Sequence, residues 1–177
     1  MTKTKLIGIS GCTNGGKTTL CKKLLDEFAN SVYLSQDEFY LERNGQNYEF
    51  IKEVDSYNFD VITAIDMKKF HKKLTKLLHV GKYDYVFIDG ILLYDDEKLV
   101  NMLDRKYFLD LDKEEAAKRR KNRQYIMRET ENYFEVCAWN EFLKYKQKCI
   151  QNIKNATYLN GNLSQEEIFN FVLNDLP

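Results

Sequence analysis

Apolar residues in this chain come in short runs separated by longer stretches of helical period. Residues 5–10 (Lys-Leu-Ile-Gly-Ile-Ser) form such a run beside a glycine and predict a buried strand. Residues 18–28 follow with Leu20, Leu24, Leu25 and Phe28 at helical spacing, and residues 31–35 predict a second strand. Apolar positions 62, 65, 70, 74, 77 and 78 make one stripe, so a helix is expected there, closed by Gly81. Residues 85–89 (Tyr-Val-Phe-Ile-Asp) are apolar up to a final carboxylate, and residues 107–111 (Tyr-Phe-Leu-Asp-Leu) repeat the pattern. A charged helix is expected over 113–123. A longer one over 134–152 turns Phe134, Cys137, Ala138, Phe142, Tyr145 and Cys149 inward. A fifth strand over 156–159 and a helix over 164–173, capped by Ser164, complete the pattern. The strands are apolar throughout rather than alternating, and helices separate them. The predicted fold class is therefore α/β: a five-stranded parallel sheet with helices on both faces. Residues 42–57 have the least pattern and predict a loop over the site.

The length of 177 residues fits one domain, 1–177, which buries roughly 70% of its unfolded surface without disulfides or a structural metal. The 27 basic and 27 acidic side chains cancel, which argues against bulk attraction to nucleic acid or to an anionic membrane. Cys12, Cys21, Cys137 and Cys149 form no CxxC pair, and nothing reads as a secretory leader. Free thiols in a reducing, cytoplasmic setting are expected, in a monomer or weak dimer. No apolar run approaches the roughly 20 residues that span a bilayer.

Residues 11–18 read Gly-Cys-Thr-Asn-Gly-Gly-Lys-Thr. Such a loop, between an apolar strand and an amphipathic helix, wraps phosphates in backbone N–H groups; Gly11, Gly15 and Gly16 permit the turn. Thr13, Asn14 and Thr19 complete the expected ATP-binding segment. Lys17 is expected to reach the β- and γ-phosphates and Thr18 to offer its hydroxyl to Mg²⁺. The chain has no Asn-Lys-x-Asp motif, as a GTPase would, and no Ser-Gly-Gly signature, as a transporter ATPase would. The loop signals ATP- or GTP-type chemistry and leaves the acceptor open; the length suits a small-molecule kinase, and ATP is the expected phosphate donor.

A kinase must also place an acceptor hydroxyl and take up its proton. Asp37, in Ser35-Gln-Asp-Glu-Phe-Tyr40, follows the second strand, where strand ends line the ligand crevice of a parallel sheet. It is the expected base and a Mg²⁺ partner. Asp89, at the end of its strand, is a second metal candidate, or an ordinary strand-end aspartate. Asp60, in Tyr57-Asn-Phe-Asp60, either accepts two neighbouring sugar hydroxyls or caps the helix that follows. Residues 118–123 (Lys-Arg-Arg-Lys-Asn-Arg) are either a solvated charge run or a lid. At about 100° per residue, Arg119, Arg120 and Arg123 fall within one arc of about 100°, which suits a polyphosphate. The expected lid spans about 113–132.

These residues together resemble the nicotinamide riboside kinases, a branch of the uridine-kinase-like P-loop kinases. The resemblance rests on the segment Ile7 to Leu20, on Ser35 to Tyr40, and on Phe59-Asp-Val, Asp89-Gly-Ile-Leu-Leu and Tyr107-Phe-Leu. It continues in Lys118-Arg-Arg-x-x-Arg-x-Tyr125, Tyr133-Phe-x-x-x-x-Trp139, Leu143-Lys-Tyr and Tyr158-Leu-Asn-Gly161. It implies a P-loop kinase fold and 5′-phosphorylation of nicotinamide riboside to nicotinamide mononucleotide in NAD salvage. It further implies catalytic roles for Asp37, Lys17 and Arg119, and Arg120 and Arg123 on ATP, with the loop after Tyr158 near adenine. It places Asp60 and Arg119 on the ribose hydroxyls, Phe59 and Tyr125 beside the base, and Glu38, Phe39 and Tyr40 with Asp37 at the acceptor. Position 59 is Phe where the family leads one to expect Tyr, and position 89 is Asp where Glu is common. A cationic pyridinium between two π-faces gains roughly 0.5–2 kcal/mol, although with 14% aromatic residues plain packing is the other reading of that pair. The phosphate loop and the Asp-Glu-Phe-Tyr segment are shared with uridine kinases, so a uridine/cytidine kinase is the alternative. A non-catalytic nucleotide sensor is a third reading, opposed by Asp37 alongside an intact Lys17-Thr18.

Overall fold

The computed structural model describes residues 3–42, 48–80, 83–122, 130 and 132–176. The chain runs through β1 (Lys5–Gly11), α1 (Lys17–Glu27), β2 (Ser31–Ser35), a short pair β3 (Phe50–Ile51) and β4 (Ser56–Tyr57), and α2 (Met67–Val80). It continues through β5 (Tyr85–Asp89), α3 (Glu97–Met102), β6 (Arg105–Asp110), α4 (Lys113–Lys121), α5 (Trp139–Asn152), β7 (Ala156–Asn160) and α6 (Gln165–Asp175). Five strands pair in parallel in the order β2-β5-β1-β6-β7. This is the predicted α/β class with the predicted five-stranded sheet.

Side chains alternate across the sheet and feed two cores. Leu6, Val86, Ile88 and Phe108 face α2, α3 and α5 through Phe70, Leu74, Leu99, Phe142 and Tyr145. Ile7, Ile9, Phe87, Tyr107 and Leu109 face α1 and α6 through Leu20, Leu24, Ile168 and Val172. Burial on both faces explains why the strands read as continuous apolar runs; each large side chain so buried contributes about 1.5–3 kcal/mol.

Several boundaries differ from expectation, each for a local reason. The 62–78 stripe is not one helix. Ile62–Ala64 is a 3₁₀ turn, and α2 starts at Met67 because the Asp66 carboxylate accepts from the Lys69 N–H at 2.9 Å and caps it. The expected 134–152 helix opens with a π-helical turn, Phe134–Ala138, before α5 proper, and Phe134 is only half-buried. Within 42–57, expected as loop, β3 and β4 form a small antiparallel pair. The six-residue α3 carries too little period to announce itself. Ser164 does cap α6, in a reciprocal capping box with Glu167.

Among the described residues, no helix is long and apolar enough to cross a membrane. The carboxyl ends of β1, β2, β5 and β6 lie side by side, with Ser35 opposite Asp89 and Gly11 opposite Leu109. The site is built at that edge.

Candidate active site

The phosphate loop turns sharply because its backbone is left-handed where side chains rarely follow. Gly11 has φ 121° and presses so closely on β6 that a Cβ would sit 2.2 Å from the Leu109 carbonyl oxygen. Asn14 (φ 57°) and Gly16 (φ 88°) finish the turn, and Gly16 caps α1. The loop therefore delivers Lys17 and Thr18 on the first turn of α1. The Lys17 ammonium, nearly buried, donates to the carbonyls of Gly11 (3.2 Å) and Cys12 (2.6 Å) within the loop itself. Burial pushes the Cys12 thiol up to about 12, so it stays neutral beside that ammonium.

Thr18 and Asp89 meet. The Thr18 hydroxyl donates to Asp89 Oδ2 at 2.6 Å, and the Tyr33 hydroxyl donates to Oδ1 at 2.8 Å. Asp89 is 2% exposed at the end of β5. A buried carboxylate and a hydroxyl within hydrogen-bond distance, both on a cavity wall, form a hard-oxygen donor set that fits Mg²⁺. Tyr33 was not anticipated; its only signal is a polar-tipped ring on β2.

Ahead of them a cavity of about 1130 Å³ is lined by Thr13–Thr19, Asp37, Tyr40, Phe59, Asp60 and Asp89, and by Arg119, Arg120 and Tyr133. Phosphate loop, expected base and expected ribose carboxylate thus share one space. Residues 36–39 form a 3₁₀ turn, in which positions three apart share a side. That is why Asp37 and Tyr40 line the cavity while Gln36 and Phe39 turn inward. Phe39, expected at the acceptor, packs edge-on against Phe70 at 5.3 Å, and Glu38 is exposed off the cavity wall. Gln36 is fully buried and its Oε1 accepts from the Leu92 N–H at 3.0 Å, fastening the turn to the strand-β5 side.

Asp60 does not cap α2, since Asp66 does. Its Oδ2 accepts from the Tyr133 hydroxyl at 2.8 Å, and that hydroxyl accepts from the Phe59 N–H at 2.9 Å. Burial first, and then the Asp60 carboxylate, push the Tyr133 phenol far above its ordinary value, so it is a donor throughout the physiological range. The same two causes, with Asp37 next, raise Tyr40. Around Phe59 stand Tyr48, at 5.0 Å between ring centroids, and Tyr133, at 6.3 Å.

The two described arginines of α4 part company. Arg119 is gripped by Glu115 at 2.7 Å and donates to the carbonyls of Asn14 (3.5 Å) and Gly161 (3.1 Å), so it sits between the phosphate loop and the loop after β7. Arg119 and Asp60, expected together on the ribose, both line the cavity. Arg120 is the buried one: it donates to the Thr13 hydroxyl at 3.2 Å and lies over the rings of Tyr133 and Phe134. It is thus Arg120 that stands by the Asp60–Tyr133 pair. Lys118 and Lys121 are exposed, as their positions on the helix required. Arg123, expected on ATP, and Tyr125, expected beside the base, lie outside the described residues, as does much of the expected lid.

An AAA-domain family profile matches residues 7–140. Nicotinamide riboside kinase 1 of Homo sapiens is 31% identical over 194 aligned residues, covering 98% of this chain and 92% of that protein. The chain belongs to the nicotinamide riboside kinase family. It is accordingly a nucleoside kinase, a phosphotransferase that acts on a hydroxyl. A uridine kinase of Borrelia hermsii is 30% identical, over only 60% of either chain. Among solved structures, a sugar kinase from Janibacter superposes with a TM-score of 0.65 at 13% identity, covering 97% of this chain and 93% of that one. That likeness speaks for the P-loop kinase fold.

Proposed function

We propose that this family member transfers the γ-phosphate of ATP to the 5′-hydroxyl of nicotinamide riboside, giving nicotinamide mononucleotide and ADP, in NAD salvage. The observation that carries the reading is that the phosphate loop, Asp37 and the Phe59–Asp60 pair line one cavity. Asp37 accepts the proton of the 5′-hydroxyl as its oxygen bonds to phosphorus and the bond to the ADP oxygen breaks. Asp60 accepts hydrogen bonds from neighbouring ribose hydroxyls. The wall of Phe59, Tyr40 and Tyr133 suits a pyridinium cation better than a neutral uracil, whose edge finds no donor on Phe59.

On the donor side, the loop's N–H groups, Lys17, Thr18 and Thr19 hold the phosphates. Arg119 faces the donor between Asn14 and Gly161, and Arg120 stands beside the acceptor. Thr18, Asp89 and Asp37 would hold Mg²⁺, which supplies charge neutralisation on the β- and γ-phosphates. The four thiols, all buried and unpaired, suit a reducing cytoplasm.

The test is incubation with ATP, Mg²⁺ and nicotinamide riboside, followed by mass and ³¹P analysis. One 5′-monophosphate should form per ADP. ADP release that ignores the riboside overturns the reading and favours a nucleotide sensor.

A further inference from the structure

The Asp60 carboxylate is not oriented by its own segment alone. Backbone contacts pin that segment: Asn58 is 3% exposed, its N–H donates to the Glu49 carbonyl at 2.8 Å, and its Oδ1 accepts from the Asp60 N–H at 3.0 Å. The carboxylate itself is met from across the cavity by Tyr133, 73 residues further along the chain. Tyr133 is 2% exposed and precedes the π-helical turn Phe134–Ala138; such wide turns are frequent at functional sites. Its ring is flanked by Phe59 at 6.3 Å and by the Arg120 guanidinium at 5.9 Å. Its hydroxyl has one hydrogen to donate, and this goes to Asp60 while a lone pair takes the Phe59 N–H. One oxygen therefore ties both residues expected at the acceptor to the same point.

We propose that Tyr133 is a positioning residue that aims Asp60 at the acceptor's vicinal hydroxyls, and so sets the preference for ribonucleosides over 2′-deoxyribonucleosides. The inference rests on the reading that Asp60 holds the ribose. A carboxylate has about four acceptor sites, so accepting the Tyr133 hydroxyl does not by itself exclude sugar hydroxyls. Two adjacent hydroxyls are both met only if the carboxylate plane is fixed, and a single hydroxyl tolerates a swung carboxylate. Losing the tether therefore costs a ribonucleoside more than its 2′-deoxy analogue.

The experiment measures kcat and KM for the riboside and its 2′-deoxy analogue in wild type, Tyr133→Phe, Asp60→Ala and the double variant. ATP KM and melting temperature serve as controls on folding. Tyr133→Phe keeps the ring and removes one oxygen. It should raise the riboside KM about tenfold, the size of effect of one hydrogen bond to a charged group, and shrink the ribo/deoxyribo ratio. In the Asp60→Ala background it should add nothing. A riboside KM unchanged in Tyr133→Phe, a ratio unchanged, or an effect that persists in full without Asp60 overturns the proposal. If Asp60→Ala leaves the riboside KM unaltered, the reading of Asp60 fails, and the proposal with it. Should Tyr133→Phe lose ATP affinity as well, the unmodified protein decides by NMR: the Phe59 amide should shift on adding riboside and stay still with ATP alone. A Phe59 amide indifferent to riboside overturns the proposal.

Discussion

The Thr18 hydroxyl donates to the Asp89 carboxylate across 2.6 Å, joining the first turn of α1 to the end of β5. Tyr33 holds the other carboxylate oxygen, so the group has one orientation on the cavity wall. Asp89→Asn should lower kcat on the order of a hundredfold, a loss of about 2.7 kcal/mol of transition-state stabilisation, and raise the Mg²⁺ concentration for half-maximal rate. Initial rates across a Mg²⁺ series check this. An unchanged Mg²⁺ dependence removes Asp89 from the metal site.

Asp37, within one 3₁₀ turn, and Tyr40, which ends it, both line the cavity, and of the two the carboxylate is the candidate general base. Asp37→Asn should reduce kcat between about a hundredfold and ten-thousandfold, the range of general-base catalysis, with ATP KM within about twofold of wild type. Near-normal turnover would take the base role from Asp37.

Arg119 and Arg120 are neighbours in sequence with different partners. Arg119→Ala should raise ATP KM about tenfold, as expected for loss of charge-assisted hydrogen bonds, and leave riboside KM alone. Arg120→Ala should act mainly on kcat, by tenfold or more if it meets transition-state charge on the order seen for other arginines. Steady-state kinetics in both substrates separate the two. Equal effects of both variants on ATP KM would refute the division.

Burial raises all four thiols from 9.0: Cys137 to about 11, Cys12 and Cys149 to about 12, and Cys21 well above the ordinary value. In the unfolded chain they ionise near 9.0, while the folded protein keeps its protons. The unfolded state thus binds fewer protons above that pH, and stability falls. Each thiol removes at most about 1.4 kcal/mol per pH unit between 9 and its folded value, and nothing below 9. Urea melts at pH 7, 9 and 10.5 check the sign. Iodoacetamide at pH 8 should leave all four native thiols unmodified, as read by mass spectrometry.

The parallel sheet was legible because strands buried on both faces read as apolar runs, and the phosphate loop because glycine spacing dictates its backbone. That Asp37 and Asp89 line the cavity could be read from their place at strand ends. Phe39 could not, because one 3₁₀ turn decides which of four consecutive residues face the cavity. Arg119 and Arg120 could not be separated, since both lie on the same helical arc and their partners, Gly161 and Thr13, come from distant segments. Tyr133 and Tyr33 were hidden for a similar reason. Their work is done by a terminal hydroxyl reaching a carboxylate 73 or 56 positions away, and local pattern carries no trace of such contacts.

The most direct test is a comparison of kcat/KM for nicotinamide riboside, uridine and cytidine with ATP and Mg²⁺. The aromatic wall around Phe59 predicts nicotinamide riboside ahead by about tenfold or more, the scale of a cation–π contact in a partly dry pocket. Uridine or cytidine turned over as well as or better than nicotinamide riboside would contradict the account and make the protein a pyrimidine nucleoside kinase.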